Sequence, residues 1–282
     1  MNMVNTSRSI DKLAMVCLPL VLLGVTVLYY PIFVGLVHDW RAIDDYSHGF
    51  FIPIISCYLI YGMKNELKAM EVKPANWGLI IILLGLCQLY LSSVGSELFL
   101  KRTSLVPVLI GISLFLLGKP VTRRVLLPLV YLLFMVPIPA IIWNKIAFPM
   151  QLFSSAMTEK LVRLVGIPIF REGNILHLAN TTLEVINACS GLRSLMTMFA
   201  LSAALAMLST LNTGRKWILF FAAAPIAVIA NIARLTGTAV LASIYGPDVA
   251  HGFLHDFSGI VVFVMGLMML IGVNSLLHKT GV

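Results

Sequence analysis

Three residues of this 282-residue chain carry side chains suited to covalent chemistry. Cys189 follows Asn187 and Ala188 and precedes Ser190, Gly191 and Arg193, at the predicted start of an apolar helix. A helix N-terminus offers unpaired N–H groups and a partial positive charge, and both favour thiolate over thiol. Arg193, four residues on and on the same helical face, adds positive potential. Arg234 lies within an apolar run, after Asn231, Ile232 and Ala233. At 1.5 Å per residue it stands ~27 Å from the basic pair Arg215 and Lys216. An arginine at that depth is costly and normally needs a partner or a water-filled site. His255 opens the last apolar run, in the stretch His251 to Gly259. A thiol, a guanidinium and an imidazole are the parts of acyl transfer: nucleophile, oxyanion stabiliser and acid/base.

Each of the three also has a plainer reading. Cys189 could be an ordinary residue of a small-residue helix start, Arg234 a group that binds carbonyls to hold helices together, and His255 a surface histidine. His251 and His255 have the spacing of two ligands on one helix face. No Glu follows the first and no third ligand is evident, so no metal is expected, nor any other cofactor.

The elements that must position these residues are membrane helices. The chain is 59% hydrophobic and 11% charged, whereas a soluble domain is about 25% charged. Apolar runs of membrane-spanning length alternate with short polar connectors. About eight spans are predicted, at 13–36, 47–63, 77–95, 103–118, 125–144, 190–211, 216–242 and 256–277. The first is too long for a cleavable signal peptide and is expected to be retained. The net charge of +8 would suggest nucleic acid in a soluble protein. Here Lys64, Lys68, Lys73, Lys119, Arg123, Arg124, Arg215 and Lys216 fall in connectors on one side, with Arg8, Lys12 and Lys279, and this marks the cytoplasm. Membrane lipid is therefore the expected surroundings, and nucleic acid is not a partner. Lys101 and Arg102 vote against this topology. Cys17, Cys57 and Cys87 lie inside apolar runs and read as small hydrophobes.

The opposite face then carries residues 37–46, the connector 145–188 and the segment 243–255. Residues 148–165 read as an amphipathic helix, with Lys160 and Arg163 against Leu152, Leu161, Leu164 and Val165; Gly166 and Pro168 end it. Residues 170–186 read as a hairpin: Ile175 to Leu178, a turn at Ala179, Asn180 and Thr181, and Leu183 to Ile186 returning into Cys189. The expected fold is an all-α polytopic membrane protein with a small periplasmic β-hairpin before Cys189, residues 1–282 forming one multi-pass domain.

Three elements in this order resemble the exosortase/archaeosortase family. They are Asn187-Ala188-Cys189-Ser190-Gly191-Leu192-Arg193-Ser194, Asn231-Ile232-Ala233-Arg234 and His255-Asp256-Phe257-Ser258-Gly259. Tyr46, Ser47, His48 and Gly49, followed by Pro53, resemble the family's N-terminal signature. The likeness covers roughly residues 40–275. The resemblance implies a membrane thiol peptidase or transpeptidase of the inner membrane, working at the periplasmic face. It implies Cys189 as nucleophile, Arg234 as partner of the oxyanion or of a substrate carboxylate, and His255 as acid/base. The implied substrates are exported proteins with a C-terminal sorting tail: a Pro-Glu-Pro-like motif, a transmembrane helix and a basic end. The family also often accompanies exopolysaccharide loci. The rival reading is a transporter, or a polysaccharide-assembly membrane protein, without covalent catalysis. Arg234 would then bind an anionic substrate. Transporters often carry inverted repeats around a midplane site; no such repeat is seen, and the polar residues gather at one face.

Overall fold

The structure is a computed structural model and describes residues 3–179, 181–184, 193–246 and 253–280. The chain divides into two compact units, Met1–Pro137 and Ile138–Val282.

The N-terminal unit opens with α1 (Met3–Ala42), a 3-10 turn (Asp44–Phe50), α2 (Phe51–Gly62) and the short α3 (Lys64–Ala69). It continues through α4 (Trp77–Val94), α5 (Leu98–Thr103), α6 (Leu105–Leu116), α7 (Lys119–Tyr131) and a second 3-10 turn (Leu132–Met135). α4 and α6 approach closely because glycines line the seam. A Cβ on Gly85 would sit 2.7 Å from Val108 Cγ2, and one on Gly111 would sit 2.7 Å from the Ile82 nitrogen. In lipid, where no hydrophobic drive pulls helices together, small residues provide association by letting backbones touch.

Polar groups fix the rest of this unit. Arg102 Nη2 meets Asp39 Oδ2 at 2.7 Å, with the arginine almost wholly buried. This explains the vote that Arg102 casts against the topology: neutralised by its own carboxylate, it no longer behaves as a free loop charge. The Trp40 indole N–H donates to the Met135 carbonyl at 2.9 Å, and His48 Nε2 lies 3.2 Å from the Phe134 carbonyl. The Tyr46-Ser47-His48-Gly49 element is thus pinned onto the second 3-10 turn. Gly49 cannot carry a side chain there, because a Cβ would collide with the Trp40 ring.

The C-terminal unit consists of α8 (Ala140–Leu164), β1 (Ile169–Glu172), β2 (Ile175–Leu178), β3 (Thr182–Glu184), α9 (Arg193–Leu208), α10 (Thr213–Tyr245) and α11 (Phe253–Lys279). The strands form an antiparallel sheet in the order β1-β2-β3, with Ile169 opposite Leu178 and Leu176 opposite Leu183. The predicted hairpin is therefore two strands of a three-stranded sheet; Ile186 lies outside the described residues.

Helix α8 corrects the predicted amphipathic face. Leu161, Leu164 and Val165 are exposed, while Ser154, Ser155, Thr158 and Val162 are buried. Apolar periodicity alone assigns leucines to a core, but in a bilayer leucine suits the lipid and small polar residues suit helix contacts. Arg163 is likewise not a free polar-face charge: it pairs with Glu159 at 2.7 Å and donates to the Ile169 carbonyl.

Among the described residues, five helices are long and apolar enough to cross a membrane: Pro19–Ala42, Trp77–Val94, Leu98–Leu116, Thr213–Tyr245 and Gly259–Lys279. Counting the helices on either side of Pro137–Pro139 as one broken span gives six. The difference from eight lies in α2 and α9. Their described residues, 12 and 16 in number, extend ~18 and ~24 Å at 1.5 Å per residue, less than a hydrocarbon core of about 30 Å. Cys57 and Cys87 are free and exposed on α2 and α4. They look outward from the helices and do not fill a core.

Candidate active site

The site residues named by sequence all belong to the C-terminal unit. Helix α10 is its axis. Asn212 caps α10, its side chain accepting from Arg215 N at 3.0 Å. The opposite end stops at Gly246, whose φ of 92° is readily adopted only by glycine. Between these ends, Leu219, Ala223, Ala227, Asn231, Leu235, Ala239 and Ala242 are buried. Their spacing of three or four residues draws one inward stripe along the helix.

The packing fixes the direction of the neighbours. Ala147 of α8 shares a cluster with Ala223 and Ala227 of α10 and with Leu195 and Met198 of α9. Further along, Val162 of α8 shares a second cluster with Leu235 and Ala239, together with Ile169, Leu176, Leu178 and Leu183 of the sheet. Helices α8 and α10 thus run the same way, and the sheet packs directly on the turn of α10 that follows Arg234. At the other end, Leu270 of α11 packs with Leu219 and Ile226, so α11 runs antiparallel to α10.

Arg234 is half-buried on α10. A Cβ built on Gly259 would lie 3.9 Å from its Nη2, so the guanidinium comes up against the α11 backbone where there is no side chain. His255 is the third residue of α11, one helical turn before Gly259. Its backbone is described; its side chain is not. Cys189 lies outside the described residues, as do Asn187, Ala188, Ser190, Gly191 and His251. The described residues that flank Cys189 are informative. Leu183, before it, packs with Leu235 and Ala239; Leu195, after it, packs with Ala223 and Ala227. Leu183 and Leu195 thus meet α10 on opposite sides of Arg234.

Over residues 40–272 the chain matches the family model of the transmembrane exosortases. The chain belongs to that family. Neither the curated proteins nor the solved structures yield a match. Family membership and the apolar helices make this exosortase a multi-pass membrane protein.

Two polar side chains near Arg234 stand out from their surroundings. Asn231 is buried one turn before Leu235, and its Oδ1 has no hydrogen-bond partner. Thr158 is fully buried one turn before Val162, and its Oγ1 is also unpartnered. Because Val162 and Leu235 share a cluster, the two lie at similar depth, beneath the sheet. Leaving such a group unsatisfied costs about 1–3 kcal/mol. The sequence reading placed Asn231 beside Arg234 but missed Thr158. The available signal was the polar spacing Ser154, Ser155 and Thr158 within an apolar helix.

Proposed function

We propose that this exosortase is a membrane cysteine peptidase or transpeptidase of the inner membrane, cutting a C-terminal sorting signal of exported proteins at the periplasmic face. Cys189 is the nucleophile. Its thiolate attacks the scissile carbonyl carbon, and the tetrahedral oxyanion is held by Arg234. The carbon–nitrogen bond then breaks, leaving a thioester on Cys189, while His255 gives a proton to the departing amine. An acceptor amine, or water, attacks the thioester and frees the thiol. Arginine suits the second role because its planar fork of donors can hold an oxygen with two bonds. The substrate is a protein bearing a Pro-Glu-Pro-like motif before a transmembrane helix and a basic end. The same proposal takes residues 1–282 as one multi-pass domain of eight crossings, with the short helices α2 and α9 as two of them.

The observation that carries this reading is the meeting of Arg234 with α11 at Gly259, one turn from His255. It gives the guanidinium and the imidazole-bearing turn a common location on two separate helices. Leu183 and Leu195, the packed residues before and after Cys189 in the sequence, meet α10 on either side of Arg234, in support of the same reading. The test is co-expression with a tail-bearing protein, comparing its processing in wild-type and Cys189→Ala cells. Loss of the cleaved product in the variant is expected. Undiminished cleavage by a normally inserted Cys189→Ala protein removes the thiol mechanism.

A further inference from the structure

The second built feature of the molecule lies in the N-terminal unit, where four helix ends converge. Helix α2 ends at Gly62, α4 begins at Trp77, α6 ends at Leu116 and α7 begins at Lys119. The two connectors between them are tied together. Lys73 N donates to the Leu117 carbonyl at 3.3 Å, Ala75 N donates to the Leu114 carbonyl at 3.2 Å, and Lys73 forms a parallel bridge with Gly118. Gly118 has φ 85°, and a Cβ there would strike the Lys73 carbonyl, so this contact needs glycine on both counts.

The tied connectors and the first turns of α7 carry Lys64, Lys68, Lys73, Lys119, Arg123 and Arg124 against Glu66 and Glu71, six cations to two anions and a net charge of +4. The two carboxylates are used locally: Arg124 meets Glu66 at 2.7 Å and Lys73 meets Glu71 at 2.8 Å. Lys64 donates to the Tyr61 hydroxyl at 2.8 Å and lies 4.1 Å from that ring's centroid. Lys68, Lys119 and Arg123 are exposed and, among the described residues, carry no ion pair. Around them stand two exposed aromatics, Trp77 at 73% and Tyr61 at 64%. Aromatic rings of this kind settle at the headgroup level of a bilayer, which places the uncompensated cations in the same layer.

We infer that this platform is a binding surface for anionic phospholipid headgroups, with Lys68, Lys119 and Arg123 as the groups that meet the phosphate. The cations are juxtamembrane, fixed to a bridged backbone and left over after local pairing, which is the arrangement that recognises acidic lipid. A soluble acidic partner would not need the flanking aromatics. The inference is independent of the catalytic reading, since none of its residues belongs to the candidate active site.

The test is thermal unfolding of the purified full chain in a neutral detergent. Phosphatidylglycerol, phosphatidylcholine and soluble glycerol phosphate are added in separate arms. Phosphatidylglycerol should raise Tm by several degrees, as a ligand bound to the folded state does. The other two should not, and salt at about 1 M, with its ~3 Å screening length, should erase the shift. The combined change Lys68→Gln, Lys119→Gln and Arg123→Gln should remove about half of the shift or more. The control Lys145→Gln with Lys160→Gln, elsewhere on the surface, should keep it. If the triple variant does not fold, the three single variants should each show a smaller shift. An equal response to phosphatidylcholine or glycerol phosphate, or a full shift in the triple or in all the single variants, overturns the proposal.

Discussion

In the N-terminal unit, buried polar groups meet one another. Arg102 meets Asp39, the Tyr29 hydroxyl meets Ser104 at 3.0 Å, Ser113 meets Thr122 at 3.0 Å, and Ser56 donates to the Pro128 carbonyl at 2.8 Å. Among the described residues, Thr158, Asn231, Thr236 and Asn274 of the C-terminal unit each keep a buried oxygen without a partner, and Tyr131 alone does so in the N-terminal unit. Hydrogen bonds between membrane helices are worth about 0.6 kcal/mol on average, so a paired group is a modest structural asset. An unpaired one is a standing cost. The contrast assigns scaffold work to the first unit's polar residues. In the second, where Arg234 lies on the same helix as Asn231 and Thr236, it points to groups retained for function.

The largest effect that could break this contrast is at Arg234. Arg234→Lys keeps the charge but loses the two-bond fork. Cleavage of a tail-bearing substrate should fall by a factor of about 100 or more, the scale of losing an oxyanion donor, while insertion is preserved. Near-normal cleavage would mean that a point charge is enough.

Next in size is the scaffold pair. Arg102→Leu leaves Asp39 without its cation and should cost about 3 kcal/mol. The double change with Asp39→Asn should recover much of that loss. Thermal unfolding of the four proteins gives the coupling, and additive losses would show that the ion pair is not what holds α1 to α5. Gly49→Ala should cost about 1–3 kcal/mol by forcing the Trp40 ring away, readable as a changed tryptophan signal together with a lower Tm.

The finest test is Asn231→Leu. Removal of a buried amide whose Oδ1 has no partner should leave stability unchanged or slightly higher, while cleavage slows. A destabilisation like that of Arg102→Leu with normal cleavage would make Asn231 a scaffold residue and erase the difference between the two units.

These particulars show what the sequence made legible. The alternation in Ile175–Leu178 and the return at Thr182–Glu184 were readable because a period of two needs only a few residues. β1 is as long as β2 but does not alternate, since the apolar pair Ile169 and Phe170 is followed by the charged pair Arg171 and Glu172, so no period of two separates it from the helix end before it. The inverted face of α8 was not readable, because hydrophobic spacing cannot tell lipid from protein interior. Arg102 was misleading for a related reason: loop charge statistics cannot see a carboxylate 63 positions away in sequence, Asp39, closing on it in space. Arg234 was more accessible to reading, since a guanidinium deep in an apolar run is expensive wherever the chain folds. Its neighbour on α11 was not, because only the fold brings Gly259 to Arg234.

The most direct measurement of the central claim is the covalent state of Cys189 during turnover. Wild-type protein reconstituted with a tail-bearing substrate, quenched in acid while acceptor amine is withheld, should carry the N-terminal portion of that substrate on Cys189. The adduct should be located by mass spectrometry and released by hydroxylamine, as a thioester is. The His255→Ala protein should form it more slowly, and the Cys189→Ser protein should form no hydroxylamine-labile thioester at all. A Cys189→Ala protein that inserts normally and cleaves at the wild-type rate, with no adduct in the wild type, would contradict the account and return the chain to the transporter reading.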